Sequence, residues 1–230
     1  MAPVFISLSA FASIETTVRT AKLYAKDKVQ EPPVFTQKTT YIKDGPKVTS
    51  KTEVIDASGK LVMREDAVYE GTKVYSHIVD LMKNSEAINF DHFDVQVRDG
   101  KVVFTGNTKD EEKESLPENF TTGPVLEEFL RAHWDELMNE DTVHSRFAVP
   151  QLHETVGFKF WMRDKTKLGD REVVRIGMKP TSFIIALVIS TIDLHFDLKD
   201  RKIMKFTGRT PLHVTINGKH EPFDSEVFYQ

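Results

Sequence analysis

The sequence predicts a mainly β protein, a strongly curved antiparallel sheet or half-open β-barrel that encloses one amphipathic helix and a short apolar helix. Three observations carry this expectation. Apolar and polar residues alternate with period two in run after run. Tight turn signals join the runs, and strands so joined are antiparallel, because parallel neighbours need crossovers of about a dozen residues or more. Against this background a single long stretch keeps helical spacing instead.

In chain order, Met1–Ala12, MAPVFISLSAFA, carries no charge and has an apolar centre from Val4 to Leu8. It ends in Ala10-Phe11-Ala12, a small-x-small pattern followed by polar Ser13 and Glu15. It reads as the remnant of a secretory signal peptide that lacks a positive start, or as an N-terminal strand packed on the core. The first reading makes residues 13–230 a single β-rich domain of a periplasmic or secreted protein. With Met1 as the true start the protein is cytoplasmic.

Asp44-Gly45-Pro46, Ser58-Gly59 and Glu70-Gly71 punctuate runs rich in Val, Ile, Thr, Tyr and Phe. The strongest hairpin signal follows. Val95 and Val97 alternate with Gln96 and Arg98, Asp99-Gly100 supplies a positive-φ turn, and Val102 and Phe104 resume the alternation. Lys109–Asn119, KDEEKESLPEN, reads as a charged, solvated connector.

From Pro124 to Met138 the residues Val125, Leu126, Phe129, Leu130, His133, Trp134, Leu137 and Met138 form one apolar stripe. Glu127, Glu128, Arg131, Asp135 and Glu136 fill the opposite face, the pattern of an amphipathic helix. Thr121 or Thr122 can cap it, Pro124 suits its first turn, and Glu127 and Glu128 suit its positive end.

Beyond the helix, Val156, Phe158, Phe160 and Met162 alternate with Lys159, Trp161 and Arg163. Gly169-Asp170 marks a turn, and Val174, Ile176 and Met178 alternate with Arg175 and Lys179. Pro180-Thr181-Ser182 then leads into Phe183–Ile189, FIIALVI, where period does not separate a buried strand from a short capped helix. A helix that plugs or lids the sheet is the favoured reading. The run is far short of the roughly 20 residues of a membrane-spanning helix. Last, Ile192, Leu194, Phe196 and Leu198 oppose Asp193, His195 and Asp197, one buried face and one wet.

Hydrophobic residues at 40% and charged residues at 29% suit a protein with a sizeable core. A formal net charge of −4 leaves no basic excess for nucleic acid. With no cysteine there is no disulfide, thiolate metal site, cysteine nucleophile or cysteine-linked lipid anchor. The sequence contains no G-x-S-x-G, no glycine-rich phosphate loop, no H-E-x-x-H and no EF-hand pattern, so it points to no cofactor, metal or catalytic residue. The rows Asp193, His195, Asp197 and Asp91, His92, Asp94 contain residue types that bind metals or relay protons. Solvated or strand-start polar faces account for both rows first. His133, on the apolar stripe beside Trp134, reads as a helix-flank histidine satisfied by a neighbour.

The aromatic supply is the more suggestive feature, with 16 Phe and 2 Trp. A curved sheet around a helix leaves room for an apolar pocket. Phe129, Trp134, Phe158, Phe160, Trp161 and Phe183 are the aromatics that could line it, and its candidate ligand-binding residues are Phe129, Trp134, Phe158 and Phe160 together with Phe183, Ile184, Leu187 and Val188 of the apolar run; otherwise each of these aromatics fills the core.

The segments Met178–Phe183, Ile184–Ile192, Leu194-His195-Phe196-Asp197 and Lys205-Phe206-Thr207-Gly208-Arg209-Thr210 resemble a family of uncharacterised exported bacterial proteins, from Phe147 onward. In that family a proline-serine step and a buried apolar run lead to a final hairpin with a Gly-Arg turn. The resemblance implies a half-open β-barrel similar to the periplasmic carriers that move lipoproteins or lipids to the outer membrane, and implies no catalytic residues. This chain departs from the anchored members of the carrier pattern in lacking a lipid-attachment cysteine. The expected function is therefore a non-enzymatic exported protein binding an apolar small molecule such as a lipid acyl chain. The alternatives are an enzyme with a scattered carboxylate or histidine site and a structural envelope protein.

Overall fold

A computed structural model of the protein describes residues 14–82, 90–182, 191–216 and 219–230, and the side chains of all these but 215, 216, 219 and 220. The apolar run Phe183–Ile189, and with it the expected short helix, lies outside the described residues, as does Met1–Ala12.

The first strands are β1 (Glu15–Ala25), β2 (Phe35–Asp44), β3 (Lys47–Asp56), β4 (Leu61–Glu70), β5 (Lys73–Met82), β6 (Phe90–Arg98), β7 (Lys101–Gly106) and β8 (Glu112–Ser115). After a short β9 (Phe120–Thr121), a 3-10 turn at Gly123–Val125 runs into helices α1 (Leu126–Ala132) and α2 (Trp134–Met138). The chain then continues through β10 (Val143–Val149), a 3-10 turn at Pro150–Leu152, β11 (Glu154–Leu168), β12 (Arg171–Pro180), β13 (Ile192–Asp197), β14 (Ile203–Ile216) and β15 (Lys219–Tyr229).

All the strands join one sheet in the order β8-β7-β6-β5-β4-β3-β2-β1-β15-β14-β13-β12-β11-β10-β9, antiparallel throughout except for the β9–β10 pair. First and last strands pair, Ala21 opposite Tyr229 and Leu23 opposite Val227. The sheet is thus two meanders sewn together at the chain's ends.

The expected turns form. Asp99 and Gly100 both take positive φ, 52° and 68°, as the two central residues of a tight hairpin require. Gly45, Gly59, Gly71 and Gly169 sit at positive φ in the other expected turns.

Curvature brings the sheet's two edges together, where side chains replace a backbone ladder. Glu114 of β8 accepts the Thr155 backbone N–H at 2.9 Å, and Lys109 Nζ donates to the Leu152 carbonyl at 3.1 Å. The segment expected as a solvated connector therefore contains a strand. Its Glu112–Lys113–Glu114 sequence is the charged composition by which an edge strand avoids pairing with another molecule.

The helix forms, but as two pieces. His133 departs from helical geometry (φ −103°, ψ 22°), and its ring Nδ1 lies 2.9 Å from the Phe129 carbonyl that its own N–H also reaches at 3.3 Å. A side chain competing with the backbone for one carbonyl ends α1 there. The histidine is satisfied by its neighbour, and its ring lies 4.5 Å from that of Phe129. Neither threonine caps the helix with its side chain. Thr122 spends its hydroxyl on His77 of β5 instead.

Among the described residues three clusters make up the core. Leu126, Phe129, Leu130, Trp134 and Leu137 of the helices pack on inward residues of β10–β14, Phe160, Ile176, Leu194 and Phe196 among them. Leu23, Phe35, Val54, Met63, Val79, Phe93, Leu212, Phe223 and Val227 form a second cluster. Tyr69, Val95, Val102, Phe104 and Val125 form the third.

Candidate functional site

Period two sends Arg19, Ala21 and Leu23 of β1 to the inside of the curved sheet, and with them Gln37, Thr39 and Tyr41 of β2 and Ser50, Thr52 and Val54 of β3. Register then sorts these residues into rungs. Tyr41, Ser50, Ala67 and His77 lie side by side on β2 to β5. Arg19, Thr39, Thr52 and Glu65 make the next rung on β1 to β4. Ala21, Gln37, Val54 and Met63 make the third. Polarity falls from the first rungs to the last, and beyond them Leu23, Leu212 and Val227 are apolar.

These rungs line a cavity of about 390 Å³ inside the sheet. Its far wall takes Phe158, Met178, Ile192, Leu194 and Phe206, and the start of the helix segment, Pro124, Leu126 and Glu127, forms one side.

The polar end is held by two clasps. Arg19 Nη1 donates to Glu127 at 2.8 Å, its Nη2 donates to the Ile203 carbonyl, and its guanidinium lies 4.4 Å over the Tyr229 ring. Glu127 also accepts the Ile203 N–H at 3.0 Å, which ties α1 to β14 and β1 at once. Burial disfavours the Arg19 charge, but Glu127 more than offsets it and holds the guanidinium above its usual range. Burial pushes the Tyr41 hydroxyl up, with Arg19 partly opposing.

The second clasp is His77, whose Nε2 lies 2.9 Å from Glu65 and whose Nδ1 meets Thr122. The trio has the residue types of a nucleophile, base and orienter. Both ring nitrogens are engaged and Thr122 is wholly buried, so the arrangement straps β9 to β4 and β5. Between the clasps, Thr39 and Thr52 hydroxyls lie 2.9 Å apart and Gln37 Nε2 donates to Thr39 at 3.2 Å.

Of the candidate residues, Phe158 lines the cavity. Phe129, Trp134 and Phe160 are buried in the helix–sheet cluster, Phe129 against Phe160 at 5.9 Å and Trp134 against Phe196 at 5.7 Å. Phe183, Ile184, Leu187 and Val188 lie outside the described residues.

Asp193 pairs with Arg163 at 2.7 Å, and His195 faces Lys205 across the strand pair. Asp197 is not on a wet face. It is 5% exposed, accepts the Lys199 and Asp200 N–H groups at 2.8 and 2.9 Å, and holds Arg171 at 3.0 Å. His92 at the start of β6 pairs with Asp80 at 2.7 Å. Among the described residues no three histidine or carboxylate groups are placed to hold a metal ion, and no helix is long and apolar enough to cross a membrane.

Sequence reasoning missed the polar rungs. Thr, Ser and Gln in strands look like solvent-facing residues. The available signal was that Gln37, Thr39 and Tyr41 share a face with Phe35, while Lys38 falls on the other.

In fold the chain is similar to a beta-barrel-like protein of domain of unknown function DUF1849 from Brucella abortus. The two agree with a TM-score of 0.56 over 94% of this chain and 95% of that one, at 10% sequence identity. The likeness is one of fold, and it bears out the expected resemblance to an uncharacterised barrel-like family at that level. No family model and no curated protein matches the sequence.

Proposed function

We propose that the protein is a non-enzymatic binding protein that takes an apolar or amphipathic small molecule, such as a lipid with an acyl chain, inside its curved sheet. The observation that carries this reading is the 390 Å³ cavity, whose wall combines apolar side chains with a few polar ones. Its size falls within the roughly 300–1,000 Å³ of small-molecule sites, and such sites combine mostly apolar walls with a few placed polar groups. A folded chain normally fills its interior to crystal-like density, so a void of this size is a feature to be accounted for.

Native mass spectrometry of protein purified from its own cells tests the reading, together with binding of the uncharged apolar dye N-phenyl-1-naphthylamine. The protein is expected to retain a copurified apolar molecule and to bind the dye. Gln37→Trp, which fills the lumen from a half-buried wall position, is expected to unfold cooperatively like the wild type while losing the dye. A well-folded wild type that binds neither ends the reading.

Export accompanies the proposal, supported by the Ala10-Phe11-Ala12 pattern. N-terminal sequencing of the mature protein is expected to begin at Ser13. An intact Met1 end recovered from the cytoplasm overturns it.

A further inference from the structure

The charges around the cavity narrow the ligand's chemistry beyond an apolar chain. Its wall carries three basic side chains among the described residues, and each already has an acid. Arg19 is paired with Glu127 at 2.8 Å, His77 with Glu65 at 2.9 Å, and Arg209 with Asp224 through two contacts, one of 3.2 Å. A carboxylate or phosphate entering this space loses its hydration and meets no open cation, a costly exchange. An ammonium group fares no better, because the same pairing engages Glu65 and Glu127.

The uncharged groups are placed differently. Ser50 is 1% exposed, sits on the cavity wall between Tyr41 and Ala67, and its Oγ has no hydrogen-bond partner among the described residues. Buried hydroxyls are normally paired. Beside it, Thr39 and Thr52 share one hydrogen bond between two hydroxyls, which leaves one hydroxyl hydrogen free to donate and lone pairs free to accept. Hydroxyls that both donate and accept match a head group that does the same, such as an alcohol or a glycerol ester.

Size adds a limit. A volume of 390 Å³ holds on the order of a dozen groups of about 30 Å³, one water's share of the liquid and roughly the bulk of a methylene.

We propose that the cavity selects an uncharged single-chain amphiphile of medium length, its hydroxylated head on the Ser50 and Thr39–Thr52 rungs and its chain among Leu23, Val54, Leu212 and Val227. This rests on the binding reading above and specifies it. A medium-chain monoacylglycerol or alcohol fits; the corresponding fatty acid at neutral pH does not.

Displacement of N-phenyl-1-naphthylamine from the folded protein at pH 8 decides between them. Octanoylglycerol is expected to compete at a concentration at least about tenfold below octanoate, the penalty of an unpaired buried charge. Glu127→Gln, which leaves Arg19 without its carboxylate, should tighten octanoate about tenfold, the scale of a charged hydrogen bond, and move octanoylglycerol little. Ser50→Ala, a small change with little effect on folding, should weaken octanoylglycerol about fivefold relative to the dye, the scale of one neutral hydrogen bond.

Octanoate competing as well as the glycerol ester overturns the inference, as does Glu127→Gln without effect on octanoate or Ser50→Ala without effect on the ester. All three results leave a binding protein in place. Absence of dye binding by the wild type instead removes the binding reading and this inference with it.

Discussion

The two sides of the curved sheet are built alike and filled differently. On the β10–β14 side Phe160, Val174, Ile176 and Phe196 point inward away from the cavity, and helices α1 and α2 press Phe129, Leu130, Trp134 and Leu137 into them. On the β1–β5 side the inward positions include Arg19, Gln37, Thr39, Tyr41, Ser50, Thr52 and Glu65, and space for a small molecule lies against them. Strand alternation is the same on both sides. What differs is whether the described residues supply the opposing surface, and where they do not, the inward face has kept polar groups that a dry core excludes. One side is packed for stability, and on the other the proposed binding function supplies the occupant.

The largest expected effect tests the dry side. Phe160 is wholly buried against Phe129, and Phe160→Ala should cost about 3–5 kcal/mol in denaturant unfolding, the usual penalty for truncating a core aromatic. Trp134→Ala, 5% exposed against Phe196, belongs to the same class and should cost about as much. A loss below about 1 kcal/mol at both sites would place free space on this side too and erase the contrast.

A smaller effect tests the seam between the sides. Arg19→Met removes the partner of Glu127 and the donor to the Ile203 carbonyl while keeping most of the side chain's bulk. The stranded groups are half-buried, so a loss of about 1–3 kcal/mol is expected, read as a lower denaturant midpoint at unchanged slope. Replacing Arg19 and Glu127 together by Met and Leu should recover part of it, since neither charge is then left alone. A double variant no better than the single one would show the clasp to be independent of its charges.

Legibility in the sequence follows the same division. The Asp99-Gly100 hairpin was readable because its turn chemistry and its flanking alternation are both local. The dry side was readable because Phe160, Ile176 and Phe196 declare their face by composition. The break at His133 was not, since it depends on a ring nitrogen choosing the Phe129 carbonyl. The pairing of β1 with β15 was not either, because nothing in Ala21 or Tyr229 names a partner two hundred residues away. The polar rungs stayed hidden for a third reason. Threonine serves a wet face and a ligand-facing lumen equally well, and only closure of the sheet tells them apart.

A pH measurement tests the outer face of β13. Burial, reinforced by Lys205 opposite, holds the His195 imidazole below its ordinary 6.5, with Asp193 partly opposing. Unfolding therefore takes up a proton below that value. The stability His195 permits is intact above about pH 6.5 and is lost as pH falls through the lower, folded-state pKa. On Glu226, burial raises the carboxyl but Lys205 and the Asp27 N–H outweigh it. Asp197 is held low by the Asp200 N–H, with burial opposing and Arg171 adding to the effect. Both acids lose their contributions only in a more acidic window, from 4.5 and 3.8 downward. His195→Gln should flatten the decline that starts near pH 6.5 and leave the acid limb in place, seen in melting temperature against pH. An unchanged slope would mean that the imidazole is hydrated in the fold.

The smallest effect gives the sharpest comparison, because it asks whether the hydroxyls of the cavity side serve the fold at all. Thr39 and Thr52 are each 5% exposed and bond to one another at 2.9 Å, with Gln37 donating to Thr39. Replacing either alone by Val strands the other hydroxyl and should cost about 1 kcal/mol. Replacing both removes the need for a partner, keeps the shape, and suits strands that already favour β-branched residues. The double variant should therefore fall within about 0.5 kcal/mol of the wild type, with a coupling energy near the sum of the two single-variant losses, about 2 kcal/mol in size. On the dry side two neighbouring truncations instead add or worsen each other, because each leaves unfilled volume. If the double variant is as stable as the wild type yet binds octanoylglycerol more weakly, the hydroxyls are there for the occupant. If its stability loss equals the sum of the two singles, the rung is structural, and the two sides of the sheet differ less in purpose than in composition.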